Sequence, residues 1–229
     1  MKKYSSAITP ITSDWVVAFD LDDTLYKEAD FVASGFAAVA ERVRSPGRES
    51  VLEDLQQLFA GRASDIFGAL IEKHSLAGEV SKEELIELYR FHPPAVSLAP
   101  AVAATLSALR QRGALLSLIS DGRSRTQRNK LHALGVTEHF DPIVISEEIG
   151  SEKPAEANFR AVMTRHPGKR YAYVADNTAK DFITPRRLGW MTFCLRDDGR
   201  NIHPQRFDIG EEYLPDYVIE SLEELADTP

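Results

Sequence analysis

Cysteine and long apolar runs are scarce in this chain of 229 residues, and each scarcity excludes a class of protein. Cys194 is the only cysteine, so no disulfide can form within the chain. Because Cys194 lies in the apolar run 190–195, we expect it to be a small buried hydrophobic residue rather than a nucleophile. No apolar stretch approaches the roughly 18 residues of a membrane-spanning helix. We therefore expect no membrane partner.

Positive charge is also in deficit. The chain has 27 Lys and Arg residues against 35 Asp and Glu residues, which gives a formal net charge of −8 at pH 7. Broad nucleic-acid binding relies on basic residues that neutralise phosphates, so we expect no nucleic-acid partner. A negative net charge is still compatible with a pocket that is locally positive. Lys2 and Lys3 precede no apolar segment, and we therefore expect no secretory signal and a cytoplasmic location.

The most informative stretch is an apolar segment that ends in three acidic residues. Residues 15–19 are apolar, with β-branched and aromatic side chains, as is typical of a strand buried on both faces of a parallel sheet. Asp20, Asp22 and Asp23 follow at the predicted carboxyl edge, where open α/β folds bind ligands. If the extended geometry continues, Asp20 and Asp22 point to the same side.

Two such neighbouring carboxylates suit phosphoryl transfer. One aspartate can attack phosphorus to form an aspartyl-phosphate, while the other protonates the leaving oxygen and then activates water. A magnesium ion would offset the repulsion between the two carboxylates. The alternative is that Asp22, Asp23 and Thr24 only cap a following helix.

The next segment contains no strand signal and is predicted to be helical. Apolar residues recur at three- and four-residue spacing over residues 31–44, 50–59, 64–74 and 81–92. We expect residues 27–93 to form an α-helical cap domain inserted into a core domain of residues 1–26 and 94–229. Such an insert could close over a substrate and exclude water. The alternative is that these helices only enlarge the core.

After residue 94 strands and helices alternate, and polar groups follow the strands. The strand predicted at residues 115–119 ends in Ser120, Asp121 and Gly122, before a helix. A hydroxyl, backbone N–H groups and a helix N-terminus together make an anion site. Arg123, Arg125, Arg128 and Lys130 follow and could attract anionic substrates, but we interpret them as a solvated helix face.

Two further strand ends complete the pattern. Lys153 follows the strand predicted at residues 143–145 and precedes Pro154 at the start of a helix, where its ammonium could neutralise a phosphate oxygen. The strand predicted at residues 171–175 is followed by Asp176 and Asp181, which are suitable ligands for a hard cation. Residues 190–195 and 217–219 supply the remaining predicted strands.

These motifs resemble, in order and position, the four signature motifs of the haloacid dehalogenase-like (HAD) hydrolase superfamily. The motifs are Asp20-Leu21-Asp22-Asp23-Thr24, Ser120-Asp121-Gly122, Lys153-Pro154 and Asp176 through Asp181. The resemblance covers nearly the whole chain, including the helical insert, which resembles the small cap of that superfamily. It implies an α/β fold with a doubly wound, Rossmann-like parallel sheet, the first strand central, and magnesium-dependent phosphate chemistry.

The resemblance also implies a role for each motif residue. Asp20 would be the nucleophile and Asp22 the general acid and base, and Lys153 and Asp181 would complete the catalytic group. Mg2+ would bind the Asp20 carboxylate, the Asp22 backbone carbonyl and the Asp176 carboxylate, with Asp181 close by. The phosphate-binding residues would be Leu21, Asp22, Ser120, Asp121, Gly122 and Lys153.

Asp22 distinguishes between reactions of the superfamily. Members that displace halide lack an aspartate at this position, whereas Asp22 can donate a proton to an alkoxide leaving group. We therefore predict a phosphatase, monomeric or homodimeric, that acts on a small phosphorylated metabolite such as a sugar phosphate or nucleotide. A sugar-phosphate mutase uses the same aspartate pair and stays an alternative, as does a non-catalytic binding module.

Overall fold

The computed structural model describes residues 9–226, which form two compact units. One unit comprises the residues up to Glu28 together with those from Ser97 onward, and the other is Ala29–Val96. No helix among the described residues has both the length and the apolar character needed to cross a membrane.

The Ala29–Val96 unit is helical, as the spacing of its apolar residues predicts. Its helices are α1 (Glu28–Arg42, which begins one residue before the unit), α2 (Val51–Ala60), α3 (Ile66–Lys73) and α4 (Lys82–Phe91). Leu55, Leu70 and Leu85 project from the last three of these helices and are fully buried. Each helix therefore hides an apolar stripe, which is the main source of helix stability in a folded protein.

The other unit is built around a six-stranded parallel sheet. The strands are β1 (Trp15–Phe19), β2 (Leu115–Ser120), β3 (Ile143–Ile145), β4 (Arg170–Ala175), β5 (Met191–Leu195) and β6 (Tyr217–Ile219). They lie in the order β3-β2-β1-β4-β5-β6, and every neighbouring pair is parallel. This order confirms the predicted doubly wound sheet with the first strand in the middle.

The remaining helices connect the strands. They are α5 (Pro100–Gln111), α6 (Ser124–Leu134), α7 (Ser146–Ile149), α8 (Glu156–Arg165) and α9 (Ile183–Arg187). Every residue of the central strand β1 is buried, as expected for a parallel strand in the middle of such a sheet. Cys194 in β5 is also buried, as predicted.

The structure differs from the predicted elements at three places. Helix α7 occupies part of the predicted loop before Lys153. The next helix begins only at Glu156, because a turn intervenes in which the Ala155 N–H donates to the Glu152 carbonyl at 2.9 Å. Helix α9 was not predicted. Its first turn tolerates Pro185, since N–H groups there have no intrahelical acceptor.

Candidate active site

The order of the strands reverses around β1, and a polar cavity lies at the carboxyl ends of β1, β2 and β4. Its volume is about 150 Å³. It is lined by Asp20, Asp22, Asp23, Glu28, Asp121, Lys153, Asp176, Asn177, Lys180 and His203. The structure thus brings together residues from all four predicted motifs.

Lys153 is the charged centre of this site. Its side chain is 1% exposed, and its Nζ lies 2.8 Å from Asp20 Oδ1 and 2.9 Å from Asp181 Oδ1. The same ammonium donates to the Tyr173 hydroxyl at 3.0 Å. Burial alone would lower the pKa of Lys153, but the carboxylates of Asp181 and Asp20 outweigh burial and hold that pKa well above its ordinary value. Lys153 is therefore a fixed positive charge beside Asp20.

Three buried carboxyl groups converge next to this lysine. Oxygens of Asp20, Asp176 and Asp181 all lie within 4.8 Å of one another. Burial, opposed by Lys153 and reinforced by Asp181, raises the pKa of Asp20 to about 7. Burial raises the pKa of Asp176 to about 8, with Asp20 and Asp181 adding to the effect. Carboxylates crowded in this way favour either protons or a cation.

The acidic group fits a divalent metal ion. Hard cations such as Mg2+ take oxygen ligands, and carboxylates are common among them. Asn201 Nδ2 donates to Asp176 Oδ2 at 2.9 Å, which orients this carboxylate and leaves its other oxygen for a ligand. The Asp181 carboxylate accepts the Asn177 N–H at 3.0 Å and is fully buried. The donor set could therefore hold a metal ion.

Asp22 is held by three side-chain donors. Tyr26 Oη and Lys130 Nζ donate to its Oδ1, the latter at 2.7 Å, and Gln127 Nε2 donates to its Oδ2 at 2.8 Å. Burial favours the neutral acid, but the Lys130 ammonium and these hydrogen bonds outweigh burial and lower the pKa of Asp22. Asp22 is thus ionised near neutral pH.

The interpretation of Lys130 as part of a solvated helix face was wrong. Its side chain is only 4% exposed, because α6 turns Lys130 toward Asp22, together with Gln127 three residues earlier. Arg128, by contrast, is half exposed and pairs with Glu148.

The Ser120-Asp121-Gly122 motif lies beside this network. Gln127 Nε2 donates to Ser120 Oγ at 2.6 Å, and Ser120 is buried. The Gly122 N–H donates to Ser146 Oγ at 2.9 Å, so it is engaged within the protein. Asp121 accepts the backbone N–H of Lys153 at 3.0 Å through one carboxylate oxygen, and the other oxygen pairs with Lys180 at 2.6 Å.

Not every predicted site residue borders the cavity. Asp20, Asp22, Asp121, Lys153 and Asp176 line it. The residues that lie outside this lining are Leu21, Ser120, Gly122 and Asp181. The assignment of catalytic, phosphate-binding and metal-binding roles to these residues stays a prediction.

Residues 17–194 match the family model described as haloacid dehalogenase-like hydrolase. The chain belongs to the haloacid dehalogenase-like hydrolase family. This match spans all four motifs, and the predicted family membership is confirmed.

Curated relatives and a solved structure are similar to this chain over most of its length. Glyceraldehyde 3-phosphate phosphatase of Methanocaldococcus jannaschii is 28% identical over 227 residues, which cover 92% of this chain and 95% of the relative. Ribulose-1,5-bisphosphate 5-phosphatase of Halopiger xanaduensis is 24% identical over 238 residues, which cover 92% and 97%. The magnesium-bound HAD-hydrolase YfnB of Bacillus subtilis has a TM-score of 0.65 at 20% identity, with coverage of 95% and 97%.

Several residues at this HAD-family site were missed by sequence reasoning. Gln127 and Lys130 had a usable signal, since their three-residue spacing places both on the α6 face that carries the buried Leu131 and Leu134. Asn201 had none. It lies in an irregular loop after β5, twenty residues beyond the end of the fourth motif, and only the folded chain brings it to Asp176.

Proposed function

We propose that this HAD-family protein is a magnesium-dependent phosphatase that hydrolyses small phosphorylated metabolites through an aspartyl-phosphate on Asp20. The observation that carries this proposal is the Asp20 carboxylate, which borders the cavity beside Asp22 and is paired with the buried ammonium of Lys153. Two relatives that align with most of this chain are phosphatases of small sugar phosphates, and this similarity supports phosphate ester hydrolysis by this protein.

The reaction has two steps. In the first, Asp20 attacks phosphorus, the bond from phosphorus to the ester oxygen breaks, and Asp22 donates a proton to the leaving oxygen. In the second, water attacks the aspartyl-phosphate, Asp22 accepts a proton from this water, and Asp20 and inorganic phosphate are released. Lys153 stabilises negative charge on Asp20 and on the phosphoryl oxygens in both steps.

Because Asp22 is ionised, the proton that it donates in the first step must have a source. The carboxylate can act directly as the base of the second step, but it must gain a proton before it can act as the acid of the first. Phosphate groups on organic esters have a second pKa of about 6, so a substrate bound as its monoanion carries a proton that Asp22 can receive.

Magnesium is assigned to the acidic group. Asp20, the Asp22 backbone carbonyl and Asp176 would hold the ion, with Asp181 close by. When bound, it would supply positive charge that stabilises the transferring phosphoryl group.

The cavity favours a polar, phosphate-bearing group of the substrate. Its volume is about 150 Å³. Charged and polar side chains line it, including Glu28, Lys180 and His203. A sugar phosphate, a nucleotide or a similar phosphomonoester is the substrate class that we propose. The cap role of the helical unit, a cytoplasmic location, a monomeric or homodimeric state and the lack of nucleic-acid and membrane partners stay predictions.

The experiment is phosphate release from a panel of sugar phosphates, nucleotides and small organic phosphates, with magnesium or with a chelator. We expect magnesium-dependent release from at least one class of ester. Release that is indifferent to the chelator would contradict the metal assignment. Isomerisation of a phosphate ester without release of free phosphate would indicate a mutase. If no ester of the panel reacts, the result would argue for a binding role.

A further inference from the structure

We propose that Gln127 and Lys130 of helix α6 are positioning residues, which hold Asp22 and Ser120 in a single arrangement for phosphoryl transfer. The inference rests on the proposed function, because it assumes that Asp22 transfers protons and that Ser120 binds the phosphoryl group. Neither Gln127 nor Lys130 belongs to the four sequence motifs, and neither lines the cavity.

Lys130 fixes one oxygen of Asp22. Its ammonium lies 2.7 Å from Oδ1, and its side chain is 4% exposed. Lysine is rarely buried to this extent unless it is paired. A buried ion pair gains little net stability, because desolvation of both charges offsets their attraction. The more direct consequence of the pair is geometric: it restricts the Asp22 carboxyl group to one orientation.

Gln127 links Asp22 to Ser120. Its Nε2 donates to Asp22 Oδ2 at 2.8 Å and to Ser120 Oγ at 2.6 Å. The amide NH2 group has two hydrogens, one for each of these acceptors. Because Ser120 Oγ accepts this bond, its own hydrogen is directed elsewhere and can be donated to a phosphoryl oxygen.

The local chain geometry makes room for this link. Gly122 has no side chain, and a Cβ at that position would lie 3.3 Å from Gln127 Cδ. Gly122 also has a φ of +133°, which a residue with a side chain rarely adopts. The glycine of the second motif therefore lets Gln127 lie against the loop that carries Ser120.

The arrangement selects one atom of Asp22 for proton transfer. A carboxylate offers about four lone-pair positions, two on each oxygen. Among residues 9–226, Lys130 and Tyr26 each donate a hydrogen bond to one of the two lone-pair positions on Oδ1, and Gln127 donates to one of the two on Oδ2. The remaining position is on Oδ2. We therefore assign proton exchange with the leaving oxygen and with water to Asp22 Oδ2.

The test compares two phosphate esters that differ in their need for an acid. An aryl ester, 4-nitrophenyl phosphate, has a good leaving group, whereas the alkyl phosphate that wild type hydrolyses fastest requires protonation. Lys130→Met should lower kcat for the alkyl ester about 10²-fold, within the range of general acid catalysis, and kcat for the aryl ester less than about tenfold. Arg128→Met removes a charge from the exposed face of the same helix and should change neither value.

Gln127→Met tests the second contact without removing a charge. It should lower kcat for the alkyl ester selectively. It should also weaken competitive inhibition by inorganic phosphate severalfold, because the Ser120 hydroxyl is then free to point away from the phosphate. An unchanged inhibition constant together with an unchanged ratio of the two kcat values would overturn the role of Gln127.

Restoring an ammonium at position 130 distinguishes the positioning role of Lys130 from a purely structural effect of the substitution. Both position 130 and Cys194 are buried in the folded protein, so Lys130→Cys is made in a Cys194→Ser background, alkylated with 2-bromoethylamine in urea and refolded, with mass spectrometry to verify complete modification. The product carries an ammonium at nearly the same reach as lysine. We expect alkylation to recover most of the lost kcat for the alkyl ester, and thermal unfolding checks that each variant is folded. Equal losses on both esters in a folded variant, or no recovery, would overturn the role of Lys130. If wild type hydrolyses neither ester, the proposed function itself fails.

Discussion

At the scale of single residues, the site depends on the balance between Lys153 and the carboxylates around it. Lys153 is the only cation that pairs with Asp20 among the described residues, and it pairs with Asp181 as well. Removal of one partner from a buried ion pair leaves the other charge uncompensated. The stability of the fold and the reactivity of Asp20 are therefore coupled through this lysine.

Lys153→Met should destabilise the protein and nearly abolish turnover. We expect a loss of about 3–5 kcal/mol in the free energy of unfolding, because two buried carboxylates lose their counter-charge. We expect kcat to fall about 10²- to 10³-fold, because a fixed charge that stabilises the transition state is lost. Urea unfolding and phosphate release measure the two effects. Lys169→Met, which removes a hydrogen bond to the Ser13 carbonyl, is the matched control. Full activity of Lys153→Met would refute this role.

The raised pKa values of Asp20 and Asp176 predict how pH acts on the metal-free protein. Both groups have an unfolded pKa near 3.8 and folded values of about 7 and 8, so between these limits the folded state binds more protons than the unfolded state. Stability from these groups is complete below pH 3.8 and is lost as pH rises toward 8.

Magnesium should counteract this loss, because it binds the ionised carboxylates. The rise in melting temperature on addition of Mg2+ should be larger at pH 8.5 than at pH 6, as measured by scanning calorimetry. Asp176→Asn should abolish most of the difference. Equal shifts at the two pH values would contradict the assignment of this acidic group to the metal.

Sequence reasoning found the residues at strand ends and missed those that reach the site from elsewhere. Asp20, Lys153 and Asp176 follow buried strands, and the carboxyl edge of a parallel sheet gathers such residues. Lys130 carries only the weaker signal of its spacing on the buried face of α6, and most lysines on helices are solvated. Its burial follows from the place of α6 in the fold, which brings Lys130 to Asp22 and which the sequence alone does not specify.

At the scale of elements, the loop between β5 and β6 supports the proposed metal site. Asn201 donates to Asp176 and in turn accepts from Lys27 Nζ at 2.7 Å. The same loop is anchored at the Ile202 N–H, which donates to Asp23 Oδ2 at 2.9 Å. Groups that orient a metal ligand typically change affinity 10- to 100-fold when removed.

Asn201→Ala should therefore weaken Mg2+ binding about tenfold or more, without loss of the fold. Isothermal titration calorimetry at pH 8 gives the affinity. Asp208→Asn removes an exposed pair with Arg206 later in the same loop and should leave the affinity unchanged. If Asn201→Ala binds Mg2+ as tightly as wild type does, the loop does not orient Asp176.

In the helical unit, Asp54 joins α2 to the end of α3. Its carboxylate accepts from Lys73 and His74 at 2.8 Å each and from Ser50 at 3.1 Å. The hydrogen bond from Lys73, opposed by burial and assisted by His74 and Ser50, lowers the pKa of Asp54. This contribution to stability is present above the unfolded pKa near 3.8 and is lost as pH falls through the lower folded value.

Asp54→Asn should cost about 1–3 kcal/mol of unfolding free energy at pH 7, because hydrogen bonds to a charged acceptor are lost. The cost should shrink as pH falls below 3.8, because the unfolded wild type gains a proton on Asp54 there and the folded state gains it only at the lower folded pKa. Urea unfolding at pH 7 and pH 3 measures both values. Glu53→Gln, at an exposed position of the same helix, is the control. A cost that does not depend on pH would contradict the account.

Element types followed from the sequence more closely than element ends did. The alternation of short apolar runs with helical spacing predicted each strand of the sheet, because buried parallel strands exclude polar residues. Turns and short helices were less predictable. Both α7 and α9 are shorter than two turns, so they bury too few apolar residues to produce a period.

At the scale of the whole molecule, the topology explains why motifs separated by up to 161 positions act together. Asp20 and Asp181 are brought to one pair of neighbouring strand ends because β1 and β4 are adjacent and parallel. The central place of the first strand followed from the family resemblance, since periodicity alone does not state which strands are neighbours. Substrate identity follows from neither, because specificity resides in side chains around the cavity.

The proposed mechanism depends above all on a covalent phosphoryl intermediate at Asp20. Magnesium-dependent phosphate release by wild type and by Asp20→Asn, on the best ester of the panel, tests this intermediate, with circular dichroism as a check of the fold. We expect the variant to be folded and inactive, and we expect acid quenching of wild type during turnover to trap phosphate on the peptide that contains Asp20. Undiminished release by folded Asp20→Asn would refute the covalent mechanism.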